Sequence, residues 1–260
     1  MEKEGISKMM LEHAEIGENT PLKERYVNMS NTLVRAAQSL NLAEKRVMSC
    51  AIAKLDSKRV PNQSEALKIK LSAMEYAETF GVDKDTAYDQ LKSASENLFN
   101  RYVRIILPGG KKGKIEKKFR WVGGITYHDG EGWIELAFWH EIVPNLMMLR
   151  REFTGYKLAQ ASALRSVYSW RLLELLAQFK NTGFVRMSIE EFSHAMDVPD
   201  SYLKDFKSIR CRVIEPSVLE LSKKNELLIE WTPIKEGGRR ITGVEFRFRP
   251  NPQAPLFENS

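Results

Sequence analysis

The sequence predicts an α+β protein in which one small unit occurs twice in tandem, and three observations carry that expectation. Two helix starts share a register: aligning Ser72 with Ser188 also superposes Glu75 on Glu191, Tyr76 on Phe192, Phe80 on Met196 and Val82 on Val198. A Ser with a Glu three residues later lets each side chain satisfy a free backbone donor at a helix start, so cap, apolar positions and turn coincide in both copies. A long apolar helix precedes each copy, Leu42 to Leu55 in the first half and Val167 to Phe179 in the second. Period-two segments follow each copy: RYVRIIL, KFRWVGGITYH and GWIELAFW in the first half, then LLIEWTPI and ITGVEFRFR around Gly237-Gly238 in the second. Alternation about a glycine pair reads as a hairpin. Helix, turn, helix and hairpin make a winged helix, which offers its second helix to the DNA major groove and its loop to the neighbouring backbone. The competing reading is that any helix-turn-helix produces such matches by chance.

Taken in order, residues 1–28 read as a tail, since they hold Gly17, Pro21 and many charges without a repeated apolar face. The first winged-helix domain is expected over 29–148. NTLVRAAQSL and LAEKRVMSCAIAKL carry helical spacing, DSKRVPNQSE is a polar loop, and Leu67 to Leu71 alternates as a short strand into Ser72. On the helix from Lys84 to Phe99, Ala87, Leu91, Ala94 and Leu98 face inward, opposite Asp85, Asp89 and Glu96 with Lys92. That surface repels phosphate, whereas PGGKKGKIEKKFR gathers Lys111, Lys112, Lys114, Lys117, Lys118 and Arg120 around a glycine turn and reads as the first wing. The join lies between Trp139 and about Arg151, and REFTGYKL is a candidate first strand of the second domain, expected over 149–249.

The second domain contains the stretch that bears most directly on function, KDFKSIRCRVIE over 204–215. At about 100° per residue, Phe206, Ile209 and Val213 fall on one side and Lys204, Lys207, Ser208, Cys211 and Arg212 on the other. A charged outer face alone is equally compatible with a solvated surface. Its place after SIEE and Val198-Pro199-Asp200, and before a basic-tipped hairpin, favours a DNA-reading helix. Residues 250–260, PNPQAPLFENS, leave the fold as a proline-rich tail.

Composition narrows the function classes. The 260 residues are 43% hydrophobic and 28% charged, enough for globular cores, and the net charge of +6 favours a polyanionic partner. Cys50 and Cys211 are too few and too far apart for a disulfide framework or a zinc site. His13, His128, His140 and His194 never pair at metal-ligand spacing, and no His-x-His nickase pattern occurs. The run from Gly109 to Ile115 fails as a phosphate loop: it is one residue short, ends in Ile115 where Ser or Thr binds magnesium, and joins two strands. Catalytic residues, metal ligands and cofactors are therefore expected to be absent, and the protein is expected not to be an enzyme. No apolar run is long enough for a signal peptide or membrane span, which points to a cytoplasmic protein without membrane contact.

From Asn31 to Arg249 the chain resembles the iteron-binding plasmid replication initiators, theta-type Rep proteins built from two winged helices. LVRAAQSLNLAEKRVMSCAI, AMEYAETFGVDKDTAYDQLKSASENLF, VYSWRLLELLAQF, FKSIRCRVIEPSVLELSKKN and WTPIKEGGRRITGVEFRF carry the resemblance. It implies binding to double-stranded origin repeats mainly through the second domain, with the first assisting and mediating a homodimer in equilibrium with monomer. By position, Lys204, Lys207, Ser208 and Arg212, with Arg210 on the flank, become base-reading candidates, while Lys235, Arg239 and Arg240 of the second wing would hold phosphates. Origin opening, contact with the host replicative helicase and host initiator, and repression of its own gene as a dimer are further implications. Glu215-Pro216 departs from a plain helix and implies a kink or restart there. A dimeric winged-helix transcription regulator and a protein-interaction scaffold are the alternative readings. Finally, Gln253, Leu256 and Phe257 fit the Gln-x-x-Leu-Phe pattern of sliding-clamp ligands; the alternative is that Leu256 and Phe257 fold back on their own domain.

Overall fold

A computed structural model describes residues 20–58, 67–109, 113–238 and 240–252. Regular structure reaches further toward the amino terminus than the sequence suggests. A 3-10 turn at Leu22–Glu24 leads into strand β1, Tyr26–Ser30, so Tyr26 to Asn28 belong to the fold and not to the expected tail. Their partner lies far along the chain: β1 pairs antiparallel with the strand Phe153–Lys157, Tyr26 opposite Lys157 and Ser30 opposite Phe153. Asn28 and Met29 between them are buried.

Each half of the chain then repeats one order of elements. In the first, β1 is followed by a short helix α1 (Asn31–Val34), capped by Ser30, and a long helix α2 (Leu42–Ala53), capped reciprocally by Asn41 and Glu44. Strand β2 (Lys68–Ser72) feeds α3 (Ala73–Phe80), where Glu75 N–H donates to Ser72 Oγ at 3.2 Å and Ser72 N–H donates to Glu75 Oε2 at 2.8 Å. Gly81 ends that helix at φ 64, a left-handed conformation that glycine adopts without penalty. Helix α4 (Lys84–Leu98) starts on Asp83 and buries Ala87, Leu91, Ala94 and Leu98.

Four strands follow: β3 (Tyr102–Pro108), β4 (Lys114–Arg120), β5 (Val122–His128) and β6 (Trp133–Phe138). They divide between two sheets. β2, β6 and β5 form one sheet in that order, while β3 and β4 form a two-stranded sheet of their own, which Ala37 joins by a single bridge to Arg104. The segment KFRWVGGITYH, expected as one strand, breaks at Trp121, whose fully buried indole N–H donates to the Gln38 carbonyl at 2.9 Å.

After a 3-10 turn at Val143–Asn145, the second half opens with β7 (Phe153–Lys157), α5 (Leu158–Ser162) and α6 (Val167–Gln178), echoing β1, α1 and α2. Strand β8 (Phe184–Ser188) feeds α7 (Ile189–Ala195), capped by the same reciprocal pair: Glu191 N–H donates to Ser188 Oγ at 3.1 Å and Ser188 N–H to Glu191 Oε2 at 2.9 Å. Helix α8 (Phe206–Ile209) continues through Arg210–Ile214 into α9 (Glu215–Lys224), and β9 (Leu227–Ile234) and β10 (Gly243–Pro250) close the unit. Their sheet runs β8-β10-β9, the same sequence of roles as β2-β6-β5. Both halves are therefore winged helices, and β3-β4 is an insertion in the first.

The halves share more than the β1-β7 ribbon. Arg171 on α6, almost fully buried, donates to the carbonyls of Val34 at 2.7 Å, Ala36 at 2.8 Å and Ala195 at 3.0 Å, and to Glu174 Oε2 at 2.7 Å. Lys45 on α2 donates to Glu174 Oε1 and to Gln38 Oε1, both at 2.7 Å, and the Tyr156 hydroxyl donates to Glu174 Oε1 at 2.8 Å. Burial pulls the Lys45 ammonium down to about 8. Burial alone would raise the Glu174 carboxyl, yet Lys45 and Arg171 hold it below its ordinary value. A buried charge of either sign is tolerable only because the other is there, so this cluster fixes α2, α6 and the end of α7 against one another.

Candidate nucleic-acid interface

The positively charged face of the second domain is built from its local chemistry. After α7 ends at Met196, the chain turns through Pro199 and Tyr202, with Tyr202 N–H donating to the Pro199 carbonyl at 2.9 Å. Asp205 caps α8: Ser208 N–H donates to Asp205 Oδ1 at 2.7 Å and the Ser208 hydroxyl to Oδ2 at 3.1 Å, which holds the Asp205 carboxyl below its usual range. Two sequence expectations change here. Lys204 precedes the cap and lies on the turn, and Ser208 is half-buried with its hydroxyl proton already donated to the cap.

Lys207, Arg210, Cys211 and Arg212 are exposed, while Phe206 and Ile209 anchor the opposite side. The Phe206 ring lies 6.3 Å from the Trp231 ring on β9, so the helix start is seated on the hairpin that ends in Lys235. Lys204, Lys235 and Arg240 are exposed as well, and Arg239 lies outside the described residues. Gly237 at φ 70 makes the wing turn. The Arg212 guanidinium stacks 4.8 Å above the Tyr202 ring, and Arg210 pairs with Glu215 at 3.4 Å. Sequence reading missed the Tyr202 platform, which the turn brings back onto the helix. It also missed the cap, although Asp205 three residues before Ser208 is a legible signal.

The kink or restart expected at Glu215-Pro216 takes the form of a change of helix type: the wide turn Arg210–Ile214 ends and α9 starts at Glu215, with Pro216 in its first turn. In the wide turn Glu215 N–H donates to the Arg210 carbonyl. Residues beyond Glu215 therefore stay on one helix.

The first domain differs at the equivalent places. The exposed face of α4 carries Asp85, Asp89 and Glu96, and Lys92 is half-buried and paired with Asp129 at 3.0 Å. Asp129 also accepts from the Tyr88 hydroxyl, and these two partners hold its carboxyl below the ordinary value. Asp129 sits between β5 and β6, and the sheet order makes that turn the first domain's wing. The wing is acidic, with Asp129 and Glu131.

The basic segment expected as the first wing is the β3-β4 insertion. Lys111 and Lys112 lie outside the described residues. Lys114 pairs with Glu190 in the first turn of α7, and Lys117 is exposed on β4. Lys118 is held 3.6 Å over the Tyr102 ring. Across a cleft, Ile106, Leu107 and Lys114 face Met187, Glu190 and His194 of the second domain. The wing of that domain springs from the same place, since Gly243 pairs with Ser188 and Ile189 N–H donates to the Thr242 carbonyl at 2.9 Å. The insertion is thus brought beside the root of the second wing. The sequence-predicted cations form two groups: Lys204, Lys207, Arg210 and Arg212 on turn and helix, and Lys114 near the root of the hairpin bearing Lys235 and Arg240. Gln253, Leu256 and Phe257 lie outside the described residues. No helix among the described residues is long and apolar enough to cross a membrane.

Comparison with known proteins agrees with this architecture. The family model described as "Initiator Replication protein, WH1" matches residues 26–177, and "Initiator Rep protein, WH2" matches 188–248. An Escherichia coli relative named "Replication initiation protein" is 24% identical over 206 residues, covering 77% of this chain and 63% of its own length. The Escherichia coli "PI protein" is 25% identical over 256 residues, covering 87% of this chain and 83% of itself. The crystal structure of the Pi initiator protein in complex with iteron DNA superposes with a TM-score of 0.71 at 24% identity, covering 87% of this chain and 97% of that one, and so shares the fold. With its first family model spanning more than half of the sequence, and the second the rest of the duplicated fold, the chain belongs to the Rep3 initiator replication proteins, of WH1 and WH2 domains.

Proposed function

We propose that the chain is a plasmid replication initiator that binds repeated origin DNA through its second winged helix. The observation that carries this reading is the exposed cationic face of α8 and the turn that follows, with Arg212 already stacked on Tyr202 and the helix seated on its own wing. An arginine oriented before contact loses less freedom on binding, and its planar fork matches the two acceptors of guanine. Lys207, Arg210 and Arg212 read base edges. Lys204, Lys235, Arg239 and Arg240 hold phosphates, and Lys111, Lys112, Lys114 and Lys117 of the insertion extend that backbone contact. The first domain supplies a homodimer contact, used in repression of the protein's own gene, and the bound monomer opens the origin and meets the host helicase and host initiator. The domain limits proposed are 29–148 and 149–249, and the tail segment with Gln253, Leu256 and Phe257 docks on the sliding clamp.

The deciding experiment is an origin-dependent transformation assay. A plasmid carrying the repeats that flank the coding region should be maintained only when the intact protein is supplied. Sequence-specific binding without plasmid maintenance would make the protein a dimeric transcription regulator instead. Absence of salt-steep DNA affinity would leave a scaffold, because each phosphate contact makes log affinity fall with log salt.

A further inference from the structure

The helix proposed to read DNA is not a uniform α-helix. Between α8 and α9, residues Arg210–Ile214 are wound with five-residue hydrogen bonds, Glu215 N–H to the Arg210 carbonyl among them. Such wide turns have poorer geometry than the α form, are rare, and concentrate where function needs a local change of register. From the wide turn we infer that Pro216 is a specificity-determining positioning residue: by enforcing the turn, it sets the angle at which Arg210 and Arg212 meet the bases. The inference rests on the assignment of this helix as the base-reading element.

Ile209, Val213, Ser217 and Leu221 are spaced by four, and none is more than 3% exposed. In an α-helix, residues four apart advance by about 40°, so this stripe would wind through about 120°. A turn that takes up one additional residue brings the stripe back into line along the core. Proline supplies the cause. Pro216 has no N–H to give the Arg212 carbonyl four residues before it, and its ring crowds that carbonyl. The turn ahead of it opens, and the bonds shift to the five-residue pattern.

The exposed side shows the result. Arg210, Cys211 and Arg212 are exposed in succession, and Val213 and Ile214 are buried in succession. Arg210 is held toward the C-terminal end by Glu215, five positions on and so one wide turn away, at 3.4 Å. Arg212 is held in the other direction by the Tyr202 ring at 4.8 Å. The two guanidinium groups flank Cys211 with separate anchors, an arrangement suited to different base pairs. Return of this segment to α geometry would rotate Phe206–Cys211 by up to about 100° against α9, one residue's advance. Arg210 would then lose its geometry with Glu215.

The test uses the full chain and Pro216→Ala, which restores the missing N–H. The probe is duplex DNA selected by the parent protein from a library randomised over about 20 base pairs, roughly two helical turns. The variant should keep its melting midpoint or exceed it, since Ala is the better helix former, and should keep the parent's salt slope. Its discrimination against single base changes at the arginine-contacted positions should fall roughly tenfold. A parent protein that selects no sequence would refute the base-reading assignment itself. If the parent selects a sequence and the variant discriminates equally well, the assignment stands and the role of Pro216 is overturned. A variant that melts well below the parent also overturns it, by making Pro216 a support of the fold. Independently of any variant, NMR coupling across the hydrogen bond should connect the Arg210 carbonyl to the Glu215 amide; coupling to the Ile214 amide instead would remove the wide turn and the inference with it.

Discussion

The two winged helices share cap, sheet order and core positions, yet offer opposite charge to a double helix. At the first, Asp85 and Asp89 line the exposed face of α4, and Lys92 is paired with Asp129 of the acidic wing. At the second, Lys207, Arg210 and Arg212 line α8 and the wide turn, and Lys235 and Arg240 the wing. Of the apolar positions that superpose, Tyr76, Phe192 and Met196 are buried and Phe80 is half-buried against the core, so the scaffold survives whatever the surface carries. The difference teaches that the fold fixes where a helix is presented, and only the outward residues decide to what.

The largest effect should come from cutting the cluster that holds the halves together. Arg171→Ala strands the Glu174 carboxylate beside Lys45 without its second cation and takes a charged donor from three backbone carbonyls; removing one partner of a buried pair costs about 3 to 5 kcal/mol. A large fall in the urea midpoint would confirm it, and a fall confined to one transition of two would reveal that the halves can melt separately. Next in size, Lys207→Ala or Arg212→Ala should cost roughly 1 to 3 kcal/mol at one base position and relax preference there. Asp89→Ala on the first helix should leave preference unchanged, and sequence relaxation in that variant would break the contrast between the copies. Converting Asp85 and Asp89 to lysine sharpens it: if α4 does face phosphate, two added cations should steepen the salt slope by about 2. Arg240→Ala should weaken binding to all sequences alike and lower the slope by about 1.

The smallest effect concerns the feature the copies share. Hydrogen bonds from the Ser188 backbone and hydroxyl hold the Glu191 carboxyl below its ordinary value, and Glu75 is held low against its own burial by Lys54 and Ser72. A carboxyl whose folded pKa is depressed stabilises above its unfolded pKa and loses that contribution as pH falls through the folded one. The melting midpoint should therefore drop below about pH 4.5, the ordinary value of these carboxyls. The Glu75→Gln, Glu191→Gln double variant should show a shallower drop over the same range, and an equal drop would remove the caps as its cause.

What was legible in the sequence was local. Ser72 with Glu75, Ser188 with Glu191, the stripe on α4 and the β9-β10 hairpin are encoded within a few residues of one another, and the structure has them where the pattern requires. Features that depend on distant pairing were not legible. KFRWVGGITYH reads as one strand because alternation cannot reveal that Trp121 is withdrawn to reach Gln38, and without that break the basic hairpin passes for a wing. Nor can periodicity find a partner for Tyr26–Ser30 at the opposite end of the first family model. Lys45, Arg171 and Glu174 did leave a signal: they are charges inside apolar helical runs. In the candidate site, exposed cations could be read off the helix pattern, whereas the Tyr202 platform and the donated proton of Ser208 required the folded turn.

The ribbon of β1 and β7 also governs the order of events during synthesis. The amino-terminal strand leaves the ribosome long before Phe153–Lys157 has been translated, so it waits with an open hydrogen-bonding edge. Closing the ribbon needs a contact between segments well over a hundred residues apart, as Thr154 and Asn31 are at a separation of 123, and such closures come late. A nascent chain halted ahead of β7 would offer that waiting strand to another polypeptide, which makes the first half alone the aggregation-prone form of this molecule.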